Sequence, residues 1–249
     1  EKTTNAYIQA MAASANPDIL YYHEAMQAPD KDKSILAMEQ EVKTHCDGKH
    51  WEIVPLSSVP DGKRVLPSVW AMRRKRRLDT QEIYKWKARL NVHGGKQQYG
   101  IDYWETYSPV IQWTTTRLFL ILSVLRGWNC RQLDFVAVYP QAPSDTETYM
   151  EFPKGIRTLG NPKTHVLRLI QNLYGKKQSG RVWNIYMTNK LVGELGFKQS
   201  KVDECVFYKN RSIILIYVDD VILVGPDDNE INTIVKSMAG TSRLQMKVP

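Results

Sequence analysis

A chain of 249 residues has material for one large domain or two modest ones, and 43% apolar with 24% charged residues is the balance of a globular protein with a real core. No apolar run reaches the roughly 18 residues needed to span a bilayer, and residues 1–20 lack the basic segment, apolar run and small-residue cleavage site of a secretory signal. The net charge of +8 makes polyanions natural partners, nucleic acid first among them.

Residues 1–30 are broken at Asn16-Pro17-Asp18 and Ala28-Pro29-Asp30 and read as an extension with at most one short helix and little function. From Ser34 the spacing of Ile35, Met38, Val42 and Cys46 predicts a scaffold helix, capped by Ser34 and closed by Gly48. Cys46, Cys130 and Cys205 are an odd number at wide spacing, which suits buried thiols in an intracellular protein better than disulfides. His45, Cys46 and His50 lie close together, but no second ligand pair at finger spacing makes them a zinc site.

Strand-like alternation follows in Trp51–Val54, Val65–Met72 and Ile83–Val92, around turns at Asp61-Gly62 and Asp79-Thr80, and predicts an antiparallel sheet with long hairpins. The run Arg73-Arg74-Lys75-Arg76-Arg77 falls at the tip side of one hairpin, as a solvated end, an import signal or a nucleic-acid contact. Lys85, Lys87 and Arg89 stand at every second position, so one sheet face carries three like charges that repel unless an anion offsets them.

After Thr114-Thr115-Thr116, Leu118, Ile121, Leu122 and Leu125 ride one side of a helix ending at Gly127. A second helix runs from about Gln178 to Leu195, with Val182, Trp183, Tyr186, Met187 and Leu191 inward and Gly196 as its stop. Strands near Cys130–Phe135 and His165–Ile170 lie between them, which gives an α+β order.

The sharpest local feature is Tyr217-Val218-Asp219-Asp220 between the apolar runs Ile213–Ile216 and Val221–Val224. Two apolar strands joined by so short a polar step form a hairpin whose turn projects both carboxylates from one sheet end, although an acidic pair in a turn is also common without function. Asp134 closes another apolar-flanked strand, and if the strands are neighbours three carboxylates converge. Such a cluster is mutually repulsive without divalent cations, and oxygen-only ligands select Mg²⁺. Two such ions can serve an in-line phosphoryl transfer.

Tyr217-Val218-Asp219-Asp220 resembles the catalytic signature of reverse transcriptases, and further blocks resemble the copia-like family in particular. These are Trp86-Lys87-Ala88-Arg89-Leu90, Tyr107-Ser108-Pro109-Val110, Gln132-Leu133-Asp134, Tyr149 to Gly155, and Leu173-Tyr174-Gly175-Lys176-Lys177-Gln178 with Arg181 and Trp183. The resemblance implies a right-hand polymerase fold: an extension and scaffold helix over 1–50, fingers over 51–127, a palm with an antiparallel sheet over 128–235, and a thumb absent or only begun over 236–249. It implies a retrotransposon RNA-directed DNA polymerase that extends a DNA primer on an RNA template with deoxynucleoside triphosphates, using two Mg²⁺ ions for which Mn²⁺ can substitute. Asp134, Asp219 and Asp220 then correspond to the catalytic metal ligands, with the Phe135 carbonyl as an extra one. Lys87, Arg89, Tyr139, Tyr174 and Gly175 correspond to the nucleotide site, Tyr139 as the ring that excludes a 2′-hydroxyl, and Arg73, Arg74, Lys75 and Tyr217 to nucleic-acid contacts.

The same resemblance implies a piece of a larger polyprotein, with no membrane partner, working in a cytoplasmic particle or the nucleus. Lys176 stands where the family usually has Leu, and Ala137-Val138 and Asn91-Val92-His93 also depart from its pattern. These departures keep open a decayed module that binds RNA–DNA hybrids without turnover; a metal-dependent nuclease is a further alternative that would not need Tyr139 or the basic strand.

Overall fold

The computed structural model describes residues 16–241 and 244–246. In chain order the strands are β1 (Ile19–Leu20), β2 (Trp51–Pro55), β3 (Val65–Leu66), β4 (Ser68–Arg76), β5 (Ile83–Val92), β6 (Asn129–Phe135), β7 (Tyr149–Met150), β8 (His165–Leu169), β9 (Lys198–Gln199), β10 (Val206–Lys209), β11 (Ser212–Tyr217), β12 (Asp220–Gly225) and β13 (Leu244–Met246). The helices are α1 (Tyr22–Gln27), α2 (Lys31–Asp47), α3 (Trp113–Leu125), α4 (Ser179–Asn189) and α5 (Asp228–Thr241). The mixture is α+β, as its periodicities predict. Among the described residues no helix is long and apolar enough to cross a membrane.

The chain forms two compact units and changes from one to the other after Asp102, Thr146 and Lys176. The interleaving follows from strand pairing: β7 and β8 join β2 and β3 in a sheet of order β2-β8-β7-β3, so residues 147–176 close the first unit.

The first unit also holds a sheet of order β1-β4-β5. The single antiparallel sheet expected over 51–92 is therefore split, with β2 and β3 in a separate sheet in which β3 pairs parallel to β7. Pro67, between β3 and β4, cannot donate a ladder hydrogen bond and suits this break. The long β4–β5 hairpin forms as predicted, and its alternation buries Trp70, Met72, Ala88 and Leu90 against Met38 and Val42 of α2. Each large apolar side chain so buried stabilises the unit by roughly 1.5–3 kcal/mol.

Helix α2 begins at Lys31, three residues before the expected cap, and Ser34 is buried within it. Its inward face carries Ser34, Met38, Val42 and His45, in place of Ile35 and Cys46. His45 reaches His50 through their Nδ1 atoms at 2.7 Å, and Cys46 is left exposed. Of the three thiols expected to be buried only Cys205 is; Cys130, near the start of β6, is exposed too. Burial, with Asp203 and Glu204 nearby, pushes the Cys205 thiol up to about 12.

The second unit is one antiparallel sheet of order β13-β6-β12-β11-β10-β9. Trp183, Met187 and Leu191 from α4 and the π turn that extends it pack with Ile231, Ile234 and Met238 of α5 on the sheet residues Leu133, Phe135, Ile214 and Leu223. The strand at His165 belongs to the first unit, and β13 returns beside β6. Helix α3 has its expected span but buries only Ser123, leaving Leu118, Ile121 and Leu125 exposed.

Candidate active site

The acidic hairpin forms where the apolar pattern places it. Strands β11 and β12 pair down to Tyr217 opposite Asp220, so the turn consists of Val218 and Asp219 alone. So tight a turn needs positive φ at its first central residue, and Val218 takes φ 56°. A β-branched side chain is strained there. Two bonds hold it: Trp183 Nε1–H donates to the Val218 carbonyl at 2.7 Å, and the Phe135 N–H donates to the Asp219 carbonyl at 2.8 Å. Trp183 is itself buried, edge-on to Phe135 with ring centroids 5.3 Å apart.

Strand β12 pairs with β6 so that Asp220 stands directly opposite Asp134. Residues opposite one another share a sheet face, so Asp134, Asp220 and the exposed Tyr217 lie on one face beside the Asp219 turn. The two strands are neighbours, as the convergence of carboxylates required. Among the described residues, however, no three Asp, Glu, His or Cys side chains are grouped closely enough to hold a metal ion. The main chain assembles the trio and the side-chain rotamers do not close it.

The donor set nonetheless fits a hard divalent cation. Only oxygen is offered, and half-exposed aspartates change rotamer without moving the backbone. Tyr139 opens the short 3₁₀ turn after β6, half-buried against the core of the same unit.

In the first unit the β4–β5 register pairs Arg73 with Lys87, Lys75 with Lys85 and Ala71 with Arg89. Five cations therefore share one face. Partial burial, then Arg89, Lys75 and Lys85 around it, hold the Lys87 ammonium below the ordinary lysine value against the pull of Glu41. The Arg89 guanidinium lies 3.9 Å from the Tyr174 ring centroid. Val92 N–H donates to the Tyr174 carbonyl at 2.9 Å, which docks the following turn on β5. Gly175 takes φ 90°, and a Cβ there would meet the Val92 carbonyl at 2.1 Å, so glycine is required by close approach.

Arg74 does not share this face. Its guanidinium is bound by both carboxylate oxygens of Asp30, at 2.8 and 2.5 Å, and Trp86 Nε1–H donates to the same carboxylate at 2.5 Å. Arg76 is likewise paired with Asp18 at 2.8 Å. Alternate residues of the basic run are thus divided between an open face and one neutralised by the N-terminal segment.

A family profile described as "Reverse transcriptase (RNA-dependent DNA polymerase)" matches residues 49–248. The chain belongs to that family. It is similar to the retrovirus-related Pol polyprotein from transposon RE2 of Arabidopsis thaliana, 34% identical over 226 residues, covering 89% of this chain and 15% of that protein. It is 33% identical over 209 residues to that from transposon TNT 1-94 of Nicotiana tabacum, covering 82% of this chain and 15% of the relative. It is 28% identical over 242 residues to the transposon Ty1-H Gag-Pol polyprotein of Saccharomyces cerevisiae, covering 95% of this chain and 12% of the relative. The chain therefore spans about a seventh of the relatives' length, and as a reverse transcriptase it is of the copia-like type that its blocks resemble.

Within this reverse transcriptase chain, the second unit holds Asp134, Phe135, Tyr139, Tyr217, Asp219 and Asp220, and the first holds Arg73, Arg74, Lys75, Lys87, Arg89, Tyr174 and Gly175. Lys176, in place of the usual Leu, is buried. Sequence reasoning missed the turn-holding bond from Trp183 and the neutralising roles of Asp18 and Asp30. Only the match between cations at alternate strand positions and acids beside the prolines of the extension signalled the latter.

Proposed function

We propose that this chain carries the polymerizing centre of an RNA-directed DNA polymerase within a retrotransposon polyprotein, extending a DNA primer on an RNA template with deoxynucleoside triphosphates. The observation that carries the reading is the register of Asp134 opposite Asp220 beside the two-residue turn at Asp219, inside a family match that covers most of the chain. The first unit then corresponds to fingers and the second to palm, and the work is done in a particle or nucleus of the host cell.

Asp134, Asp219 and Asp220, with the Phe135 carbonyl, would hold Mg²⁺, or Mn²⁺ in its place; two such ions would supply nucleophile activation and stabilisation of the leaving oxygen. Val218, fixed by Trp183, holds Asp219 at the sheet end without loop freedom. Lys87 and Arg89 bind the triphosphate and offset the negative charge that grows on it during transfer, with Tyr174 and Gly175 shaping the pocket beside them. The Tyr139 ring lies beneath the incoming sugar and leaves no room for a 2′-hydroxyl. Tyr217 and the cations of β4 contact nucleic acid.

The test is primer extension on poly-rA/oligo-dT with Mg²⁺ and with Mn²⁺. Asp219→Asn is expected to abolish extension while the melting curve stays within a few degrees of the parent. Extension at the parental rate by the folded variant overturns the assignment. Hybrid binding without extension by the parent would mark a decayed module.

A further inference from the structure

Strand β5 closes the sheet of order β1-β4-β5, so alternate main-chain groups along its outer edge have no ladder partner in that sheet. Two of them are taken from outside the sheet. Leu90 N–H donates to the Glu41 carboxylate of α2 at 3.2 Å, and Val92 N–H donates to the Tyr174 carbonyl at 2.9 Å. Both bonds lie just beyond Arg89, on the strand that also carries Lys87. A carbonyl suffices at Val92, whereas at Leu90 the acceptor is a charged group.

The Glu41 side chain is only 24% exposed, and a carboxylate so far withdrawn from water needs compensation. His45, one turn further along α2, brings its Nε2 to 3.5 Å from Glu41 Oε1. Its other ring nitrogen meets Nδ1 of the buried His50 at 2.7 Å, a contact that holds one proton. The carboxylate favours hydrogen on His45 Nε2, so His45 accepts at Nδ1 and His50 donates. A buried chain from His50 through His45 therefore backs the Glu41 carboxylate. Burial pushes the Glu41 carboxyl up, but His45, the Leu90 N–H and Arg89 together hold it below the ordinary glutamate value. On the other side, burial and then Arg89, Lys75 and Lys85 push the Lys87 ammonium down, and Glu41 opposes them. Arg73 stands opposite Lys87 in the ladder, and Glu24 lines the same groove.

We propose that Glu41 is a positioning residue for the triphosphate-binding cations, pinning β5 at Leu90 and supplying the counter-charge that keeps Lys87 protonated beside Arg89. Its oxygens are engaged by the Leu90 amide and His45, so the carboxylate is held back from the open face and does not compete with an arriving phosphate. The strand then presents both cations already aligned, which lowers the ordering cost of binding. This deepens the polymerase reading and rests on its assignment of Lys87 and Arg89 to the triphosphate.

The test combines steady-state primer extension by the full chain, with deoxynucleoside triphosphate varied, and calorimetric titration with tripolyphosphate across the alkaline range. Glu41→Leu removes acceptor and charge, and is expected to raise KM by about 5- to 50-fold with kcat within about twofold of the parent. Glu41→Gln keeps an acceptor for the Leu90 N–H and should restore KM near neutral pH. Because it lacks the charge that favours protonated Lys87, its tripolyphosphate affinity should be lost at lower pH than in the parent. An unchanged KM in folded Glu41→Leu, an equal rise in the Gln variant, or an unshifted Gln profile overturns the proposal. So does a fall in apparent kcat alone that follows the melting curve, since a merely structural role reduces the folded fraction and leaves KM intact. If Glu41→Leu does not fold, the Gln profile decides. A parent that fails to extend primers sinks the polymerase reading instead, and the tripolyphosphate profiles still report whether Glu41 acts on Lys87.

Discussion

The Arg89 guanidinium lies over the ring of Tyr174, 3.9 Å from its centroid, although 84 residues lie between the two in the chain. A cation held so is pre-aimed, and the long arginine side chain loses less freedom when a phosphate arrives. Tyr174→Leu is expected to raise the KM for deoxynucleoside triphosphate by about 2- to 30-fold with little change in kcat, and Tyr174→Phe to restore it. Equal KM values for the Leu and Phe variants would show that the ring does not position Arg89.

Lys87 loses its charge at lower pH than an ordinary lysine, because it is partly buried and crowded by Arg89, Lys75 and Lys85. An anion favours the protonated form, so tripolyphosphate affinity should fall as pH rises through this lowered pKa, before exposed lysines titrate. Isothermal titration across the alkaline range checks it. Lys87→Arg should flatten the profile, and parallel profiles for the two proteins would remove Lys87 from the anion site.

Trp183 donates to the carbonyl of the strained Val218. In Trp183→Phe the packing against Phe135 is largely kept and the donor is lost, at about 0.5–1.5 kcal/mol of stability. With the turn released, Asp219 wanders, and kcat for extension should drop about tenfold or more while primer affinity holds. An unaltered kcat in the folded variant would mean that the turn holds itself.

The hydrogen bond from Arg74, opposed by desolvation and assisted by Trp86, holds the Asp30 carboxyl at about 2, below its ordinary 3.8. A depressed carboxylate stabilises the fold above its unfolded pKa, and that contribution is lost as pH falls through the folded value. Asp30→Asn should therefore cost about 1–2 kcal/mol near neutrality, and the gap from the parent should close towards pH 2. Urea midpoints at several pH values read this directly, and a pH-independent gap would assign Asp30 a packing role alone.

Tyr139→Val is expected to raise ribonucleotide over deoxynucleotide incorporation by about 10- to 1000-fold, because relief of a clash acts on one substrate only. If the ring is only a core aromatic, truncation should cost about 3–5 kcal/mol and depress both substrates together. Competitive incorporation with a parallel melting curve separates the two.

The elements that were legible in the chain carry strong local signals. The apolar runs around Asp219-Asp220 and the alternation through Lys85, Lys87 and Arg89 each satisfy one rule without help from elsewhere, and both appear where expected. What was hidden depends on partners distant in sequence. Nothing local to Arg74 says that Asp30 will neutralise it, nor does the short pattern at Val65-Leu66 reveal a parallel partner at Tyr149-Met150. Ser34 looked like a cap because its hydroxyl could serve one, yet the helix extends a turn further back, where the carboxylate of Asp30 is engaged by Arg74 and Trp86. The three carboxylates show the same limit from another side: strand order could be anticipated, rotamers could not.

The closure of the first unit by residues 147–176 also dictates when it can fold. Trp51 pairs with Leu169, and Val65 with Tyr149, so β2 and β3 leave the ribosome long before the strands that complete their sheet. Until β8 is synthesised, their main-chain groups and the apolar side chains beneath them stay open to other chains. Pairings so far apart in sequence are slow to form. The sheet of the first unit can therefore close only once residues 147–176 are made, whereas the β4–β5 hairpin needs no later segment to pair.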